Sequence, residues 1–215
     1  GAGDDVLNGG DGDDRLFSGD GTNILNGDAD NDEVFGGNGQ DTLNGGSGDD
    51  TLLGGYGNDE INGGAGVDVA EFTDIGGYLE GGIPWVYDPD NIIVDGITLV
   101  SEPDGSYTST NFNALGDEEE DLLVGISKVI GSNFNDLMNG GSGDDIFVGA
   151  FGDDVVTGGG GNDTLSGGVH NDTVDGGDGD DHLDGSFGDD EVLGGSGNDI
   201  LYGGADDDML SGADG

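Results

Sequence analysis

A nine-residue period runs through most of this chain and dictates what the backbone can do. The segment Gly45-Gly46-Ser47-Gly48-Asp49-Asp50-Thr51-Leu52-Leu53 displays the unit, Gly-Gly-x-Gly-x-Asp-x-apolar-x. Seventeen copies align: the sixth position is Asp in sixteen of them, Asn23 being the exception, and the eighth is apolar in all. Disordered polar tracts keep no such phase, and collagen needs glycine at every third residue. The repeat therefore sets both architecture and chemistry.

Each position has a physical reading. Glycines at one, two and four permit backbone angles closed to other residues, so the chain can turn tightly. Position five is Asp or Asn in fourteen copies, the non-glycine residues that best tolerate a left-handed backbone. Positions seven to nine read as a short strand with only the eighth side chain inward. Consecutive units then lie on opposite sides of a flattened coil of 18 residues. The expected fold is all-β, a parallel β-roll. Leu7, Leu25, Leu43 and Ile61 should stack in one sheet against Leu16, Val34, Leu52 and Ala70 in the other. Farther along, Met138, Val156, Val174, Val192 and Leu210 should face Phe147, Leu165, Leu183 and Leu201.

The repeats fall into two blocks, residues 1–71 and 131–215. Residues 72–130 interrupt them, and these 59 residues equal six nines plus five, which puts the second block out of phase with the first. The insert carries Trp85 and all three prolines. Ile92-Ile93-Val94 and Ile97-Thr98-Leu99-Val100 flank Asp95-Gly96, a two-residue hairpin signal. Pro103-Asp104-Gly105 marks a turn before Ser106-Tyr107-Thr108. Asp117-Glu118-Glu119-Glu120-Asp121 reads as a solvated loop, and Leu122-Leu123-Val124-Gly125-Ile126 and Lys128-Val129-Ile130 as strand leading into the second block. A small β element that bulges out, caps a roll or packs alongside is expected here.

Charge narrows the partners. The chain has 49 acids against Arg15 and Lys128, a formal net charge of −47, and no cysteine. Two basic residues cannot neutralise a phosphate backbone, which excludes nucleic acid. No apolar stretch approaches the roughly 20 residues that a membrane span needs. Cations are the natural counter-partners.

Stacking the coils at about 4.8 Å places each position-six aspartate above the one two repeats away. Carboxylates at about 5 Å repel by roughly 1 kcal/mol in water and about 3 at an effective dielectric near 20. One buried Leu or Val per nine residues is small beside the entropy of ordering nine backbones. The metal-free coil is therefore expected to stay open, and a dication between coils reverses the sign of the repulsion. Carboxylate and carbonyl oxygens, with no His, Cys or Met at the ligand position, select calcium over zinc or copper, and magnesium demands a stricter octahedron. The candidate ligands are Asp5, Asp14, Asp32, Asp41, Asp50, Asp59 and Asp68 in the first block. In the second they are Asp136, Asp145, Asp154, Asp163, Asp172, Asp181, Asp190, Asp199 and Asp208.

Gly9-Gly10-Asp11-Gly12-Asp13-Asp14-Arg15-Leu16-Phe17 and Gly194-Gly195-Ser196-Gly197-Asn198-Asp199-Ile200-Leu201-Tyr202 resemble the RTX (repeats-in-toxin, haemolysin-type) calcium-binding nonapeptides. Lys128-Val129-Ile130-Gly131-Ser132-Asn133-Phe134-Asn135-Asp136 is similar to the lead-in at which such arrays restart. The resemblance implies a β-roll with calcium held in its turns by position-six aspartates and backbone carbonyls. It also implies export by a type I secretion system, the chain being unfolded in the low-calcium cytosol and folded outside the cell. About 13 calcium sites between stacked turns would bring roughly +26 and leave about −21, enough to stay soluble. Departures are local: Asn23 should weaken its site, Asp28, Asp30, Phe134, His170 and Asp206 replace turn glycines, and Ala70 is a thin core residue.

An enzyme is not expected. His170 and His182 fall at turn and outward positions, no His-Glu-x-x-His or Gly-x-Ser-x-Gly motif occurs, and the carboxylates are accounted for as ligands. Asp28-Ala29-Asp30-Asn31-Asp32-Glu33 imitates an EF-hand loop, but Glu33 stands where that loop needs Gly and Gly39 where it needs Glu. Three classes of function remain. The first, favoured by repeats that run off both ends, is a calcium-binding structural segment of a secreted or cell-surface protein: an adhesin, surface layer or extracellular filament. The second is the secretion and folding tail of an exported enzyme or toxin. The third is a glycan- or partner-binding module using Trp85, Tyr78, Tyr87, Tyr107 and Phe112, which otherwise form a small core. Self-association or a cell-surface glycan would then join calcium as partners.

Overall fold

The computed structural model describes residues 1–71, 98–101, 107–112, 118–124 and 128–213. Strands β1 to β8 are Val6–Asp11, Arg15–Asp20, Ile24–Ala29, Glu33–Asn38, Thr42–Ser47, Thr51–Tyr56, Glu60–Ala65 and Val69–Glu71. In the insert β9 to β12 are Thr98–Ser101, Tyr107–Phe112, Glu118–Val124 and Lys128–Ile130. Beyond it β13 to β21 are Leu137–Asn139, Ile146–Phe151, Val155–Gly160, Thr164–Val169, Thr173–Asp178, His182–Phe187, Glu191–Ser196, Ile200–Ala205 and Met209–Ser211.

The chain winds as expected. Odd and even repeats alternate between two parallel sheets, and each strand pairs with the strand 18 residues away. Leu25 registers with Leu7 and Leu43 in one sheet, and Val34 with Leu16 and Leu52 in the other. In the second block Val174 lies between Val156 and Val192, and Leu183 between Leu165 and Leu201. These inward residues form a single hydrophobic core, fully buried along most of its length and frayed at the ends, where Leu210 is 47% exposed.

Most strands are longer than the repeat suggested, six residues instead of three. In Thr42–Ser47 the inward side alternates from Leu43 to Gly45, so the ladder continues through the first glycine of the following unit. A residue with no side chain lets the two walls of the roll close there.

The insert joins the blocks instead of separating them. In one sheet β12 sits between β8 and β14, so that Val129 pairs with Ala70 on one side and Phe147 on the other. Val129 is buried in the core, an apolar position that counting nonapeptides from Gly131 omits. In the other sheet β11 extends from β7 in parallel, β10 runs antiparallel to both β11 and β9, and β9 passes the sheet on to β13. The loop expected at 117–121 is therefore corrected: Glu118–Asp121 belongs to β11, each residue paired with β10. Its charges do not prevent this, because side chains alternate across a strand while the backbone makes the bonds. Residues 92–97 of the expected hairpin, together with Trp85, Tyr78 and Tyr87, lie outside the described residues, as do the side chains of Tyr107 and Phe112.

Candidate metal centre

Every position-six aspartate stands at the end of a turn, directly before a strand. Asp32, Asp41, Asp50, Asp59, Asp68, Asp136, Asp145, Asp154, Asp163, Asp172, Asp181 and Asp190 are buried, whereas Asp5, Asp14, Asp199 and Asp208, in the terminal coils, are half-buried. Burying a carboxylate is costly unless its oxygens are satisfied. One of the two is. The backbone N–H of Asp14 donates to Oδ1 of Asp32 at 2.8 Å, that of Asp32 to Asp50, and that of Asp50 to Asp68. The other edge of this block runs from Asn23 to Asp41 to Asp59. In the second block Asp136, Asp154, Asp172, Asp190 and Asp208 form one such chain, and Asp145, Asp163, Asp181 and Asp199 the other.

In most of these turns the second oxygen is not satisfied. Oδ2 of Asp32, Asp41, Asp50, Asp68, Asp154, Asp163, Asp172, Asp181, Asp190 and Asp199 is buried with no hydrogen-bond partner. It points over the first glycine of its own unit, where a backbone carbonyl of the next coil meets it. A Cβ placed on Gly9 would stand 2.7 Å from Asp14 Oδ2 and 2.8 Å from Gly27 O. One on Gly185 would stand 2.5 Å from Asp190 Oδ2 and 2.6 Å from Gly203 O. Position one is glycine because a side chain would fill this cradle of oxygens.

Burial raises the carboxyl of Asp154 to about 7 and those of Asp163 and Asp172 to about 6, from an ordinary 3.8. Neighbouring carboxylates push the same way, and the ladder N–H opposes both. Asp32, Asp41, Asp50, Asp68, Asp181 and Asp190 are raised for the same leading reason, desolvation. Among the described residues no three carboxylate or imidazole groups converge on one point. The donor set is instead one carboxylate oxygen per turn together with backbone carbonyls. Hard oxygens alone, several of them main-chain, suit calcium.

Position five has a different role from the one its residue type suggested. Asp and Asn there are not in the left-handed region, which is confined to positions two and four within the repeats. Their side chains form a second ladder of opposite polarity, in which Asn162 accepts from the N–H of Asp180 at 2.9 Å and Asp180 from that of Asn198 at 2.8 Å. Asp28, Asp30, His170 and Asp206 do take up the glycine conformation, with φ of 80°, 74°, 91° and 86°. Ala150 (φ 87°) and Ser186 (φ 80°), which also replace turn glycines, do so as well. Phe134 does not, and its turn follows another path. His170 and His182 are exposed: Nδ1 of His170 accepts from the N–H of Gly152 at 3.3 Å, and the ring of His182 lies 5.4 Å from that of Tyr202.

The family model of the RTX calcium-binding nonapeptide repeat matches residues 1–34, 35–70, 125–156, 148–183, 157–192 and 184–215. The chain belongs to that family. No curated protein matches it as a relative. Calcium binding is the property of RTX repeats, and the unpartnered Oδ2 atoms with their facing carbonyls fit such an ion on grounds independent of the family. The RTX turns would hold it through the position-six carboxylate and the position-one carbonyl one coil on. Bound there, it supplies the positive charge that the buried oxygens lack. The match begins at residue 125 on resuming after the insert, three residues before β12 takes its place in the roll.

Proposed function

We propose that this chain is a calcium-dependent structural β-roll of a secreted or cell-surface protein, of adhesin, surface-layer or extracellular-filament type. It leaves the cell unfolded by type I secretion and folds where calcium is plentiful. It performs no catalysis, and its carboxylates serve as turn ligands. One observation carries this reading: repeated buried Oδ2 atoms without hydrogen-bond partners, a cost that a cation bound in those turns would offset. Among the described residues no helix is long and apolar enough to cross a membrane. A core built from one apolar residue per repeat gives stiffness and length, and it leaves the outer faces free to carry other parts of a surface protein.

Calcium titration of the chelated chain, followed by far-ultraviolet circular dichroism and hydrodynamic radius, tests the reading. Disorder should give way cooperatively to β-structure and compaction, with magnesium far less effective. A chelated chain as compact as the calcium-loaded one would overturn it. Fusion to a type I exporter with calcium varied on either side of the membrane tests the secretion step, since pre-folding calcium in the cytosol should block export.

A further inference from the structure

Three turns of the roll differ from the rest in how their oxygens are satisfied. The first contains Asn23, where the repeat has its only neutral residue at position six. The same unit is also the only one whose first position is not glycine: Ser18 stands there and is buried. Its Cβ occupies the cradle that elsewhere separates carboxylate from carbonyl. Its hydroxyl donates to Gly36 O, the carbonyl that in other turns faces the carboxylate. The Asn23 side-chain amide donates to Asp41 Oδ1 at 2.8 Å and to Gly21 O at 3.3 Å. The Ser18 hydroxyl thus takes the carbonyl that faces the carboxylate in other turns, and a neutral amide stands where those turns present a second carboxylate oxygen.

The other two turns open the second block. Asp136 and Asp145 follow the insert, so the residues 18 positions earlier, Glu118 and Ser127, are not repeat aspartates. Each accepts a hydrogen bond on Oδ2 from within its own turn. Ser132 donates its N–H to Asp136 Oδ2 and its hydroxyl to Oδ1, both at 2.7 Å, and the N–H of Gly141 donates to Asp145 Oδ2 at 3.0 Å. The local backbone changes accordingly: Ser132, Phe134, Gly141 and Gly143 are not left-handed, unlike their counterparts in later turns.

We propose that the turns of Asn23, Asp136 and Asp145 hold no repeat-type calcium. Protein hydrogen bonds close them, and the coil that restarts the roll after the insert forms without the ion. This rests on the calcium reading of the remaining turns. In turns such as those of Asp154, Asp172 and Asp190 the second carboxylate oxygen is buried without a hydrogen-bond partner. In these three the donors are built in, and an ion would have to displace them.

Calcium bound per chain, counted by equilibrium dialysis, distinguishes the cases. D172N should lose one ion and D136N none, while the double variant S18G/N23D should gain one. A loss with D136N equal to that with D172N, or no gain with S18G/N23D, overturns the proposal. Anomalous scattering from crystals of the unaltered chain grown in calcium locates the ions whatever the variants do. Density is expected beside Asp154, Asp172 and Asp190 and not beside Asn23, Asp136 or Asp145. Ions in all turns sink this proposal alone, whereas ions in none sink the calcium reading and this with it.

Discussion

Asp172 shows what a single residue of the repeat must do. Its Oδ1 accepts the N–H of Asp154 while its Oδ2 is left for a cation, so one side chain joins two coils by two different forces. Substitution should separate them. Asp172→Asn keeps an oxygen for the ladder and loses the charge, whereas Asp172→Ala also strands the Asp154 N–H at a cost of about 1–3 kcal/mol. Thermal melts in saturating calcium should rank unaltered chain above Asn above Ala, and equal melting of all three would show that the position is no ligand. Gly36→Ala tests the cradle from the opposite side. Its Cβ would stand 2.6 Å from Asp41 Oδ2, so calcium affinity should fall along with stability, by about 1–3 kcal/mol as for other overpacked sites. Ala150→Gly, which relieves a φ of 87°, should move the other way by about 1 kcal/mol.

At the scale of the element, the strand owes its place to one apolar residue. Leu43 is fully buried between Leu25 and Ile61, and Leu43→Ala should cost about 2–5 kcal/mol. Leu210, 47% exposed in the terminal coil, should lose far less, and urea midpoints in saturating calcium compare the two. Much of this was legible in the sequence: the period placed the strands, their alternation between sheets and the inward apolar residue of each repeat. Position five was misread, because Asp and Asn favour left-handed turns and also accept hydrogen bonds, and only the fold decides which property is used. Ser18 was overlooked because it matters only beside Asn23 and Gly36, a proximity that 18-residue stacking creates. The strand at Glu118–Val124 was half missed because its acidic run looks solvated while its backbone is paired. The position-six carboxylates were identified from spacing, yet the division between a satisfied oxygen and an unsatisfied one is a property of geometry.

The molecule as a whole responds to protons as well as to metal. Asp154, Asp163 and Asp172 have folded-state values of about 7, 6 and 6, raised by burial above an ordinary 3.8. An acid raised in the folded state stays protonated there after the unfolded chain has ionised. Its contribution to stability is fully present below about pH 4 and is lost as pH climbs through 6 to 7. In chelator, the circular dichroism of β-structure should therefore grow on acidification and fade toward neutrality. In calcium it should persist at neutral pH, with protons released as the ion binds near pH 6. A chelated chain equally folded at both ends of that range would refute the burial argument. Between Ile61 and Met138 one wall of the roll carries three strands, and between Ala70 and Phe147 the opposite wall carries one. At about 4.8 Å per strand the first wall is longer by roughly 10 Å. Rails of unequal length cannot both run straight, so a filament of such modules would acquire an elbow at each interruption, its curvature written by where the inserts fall.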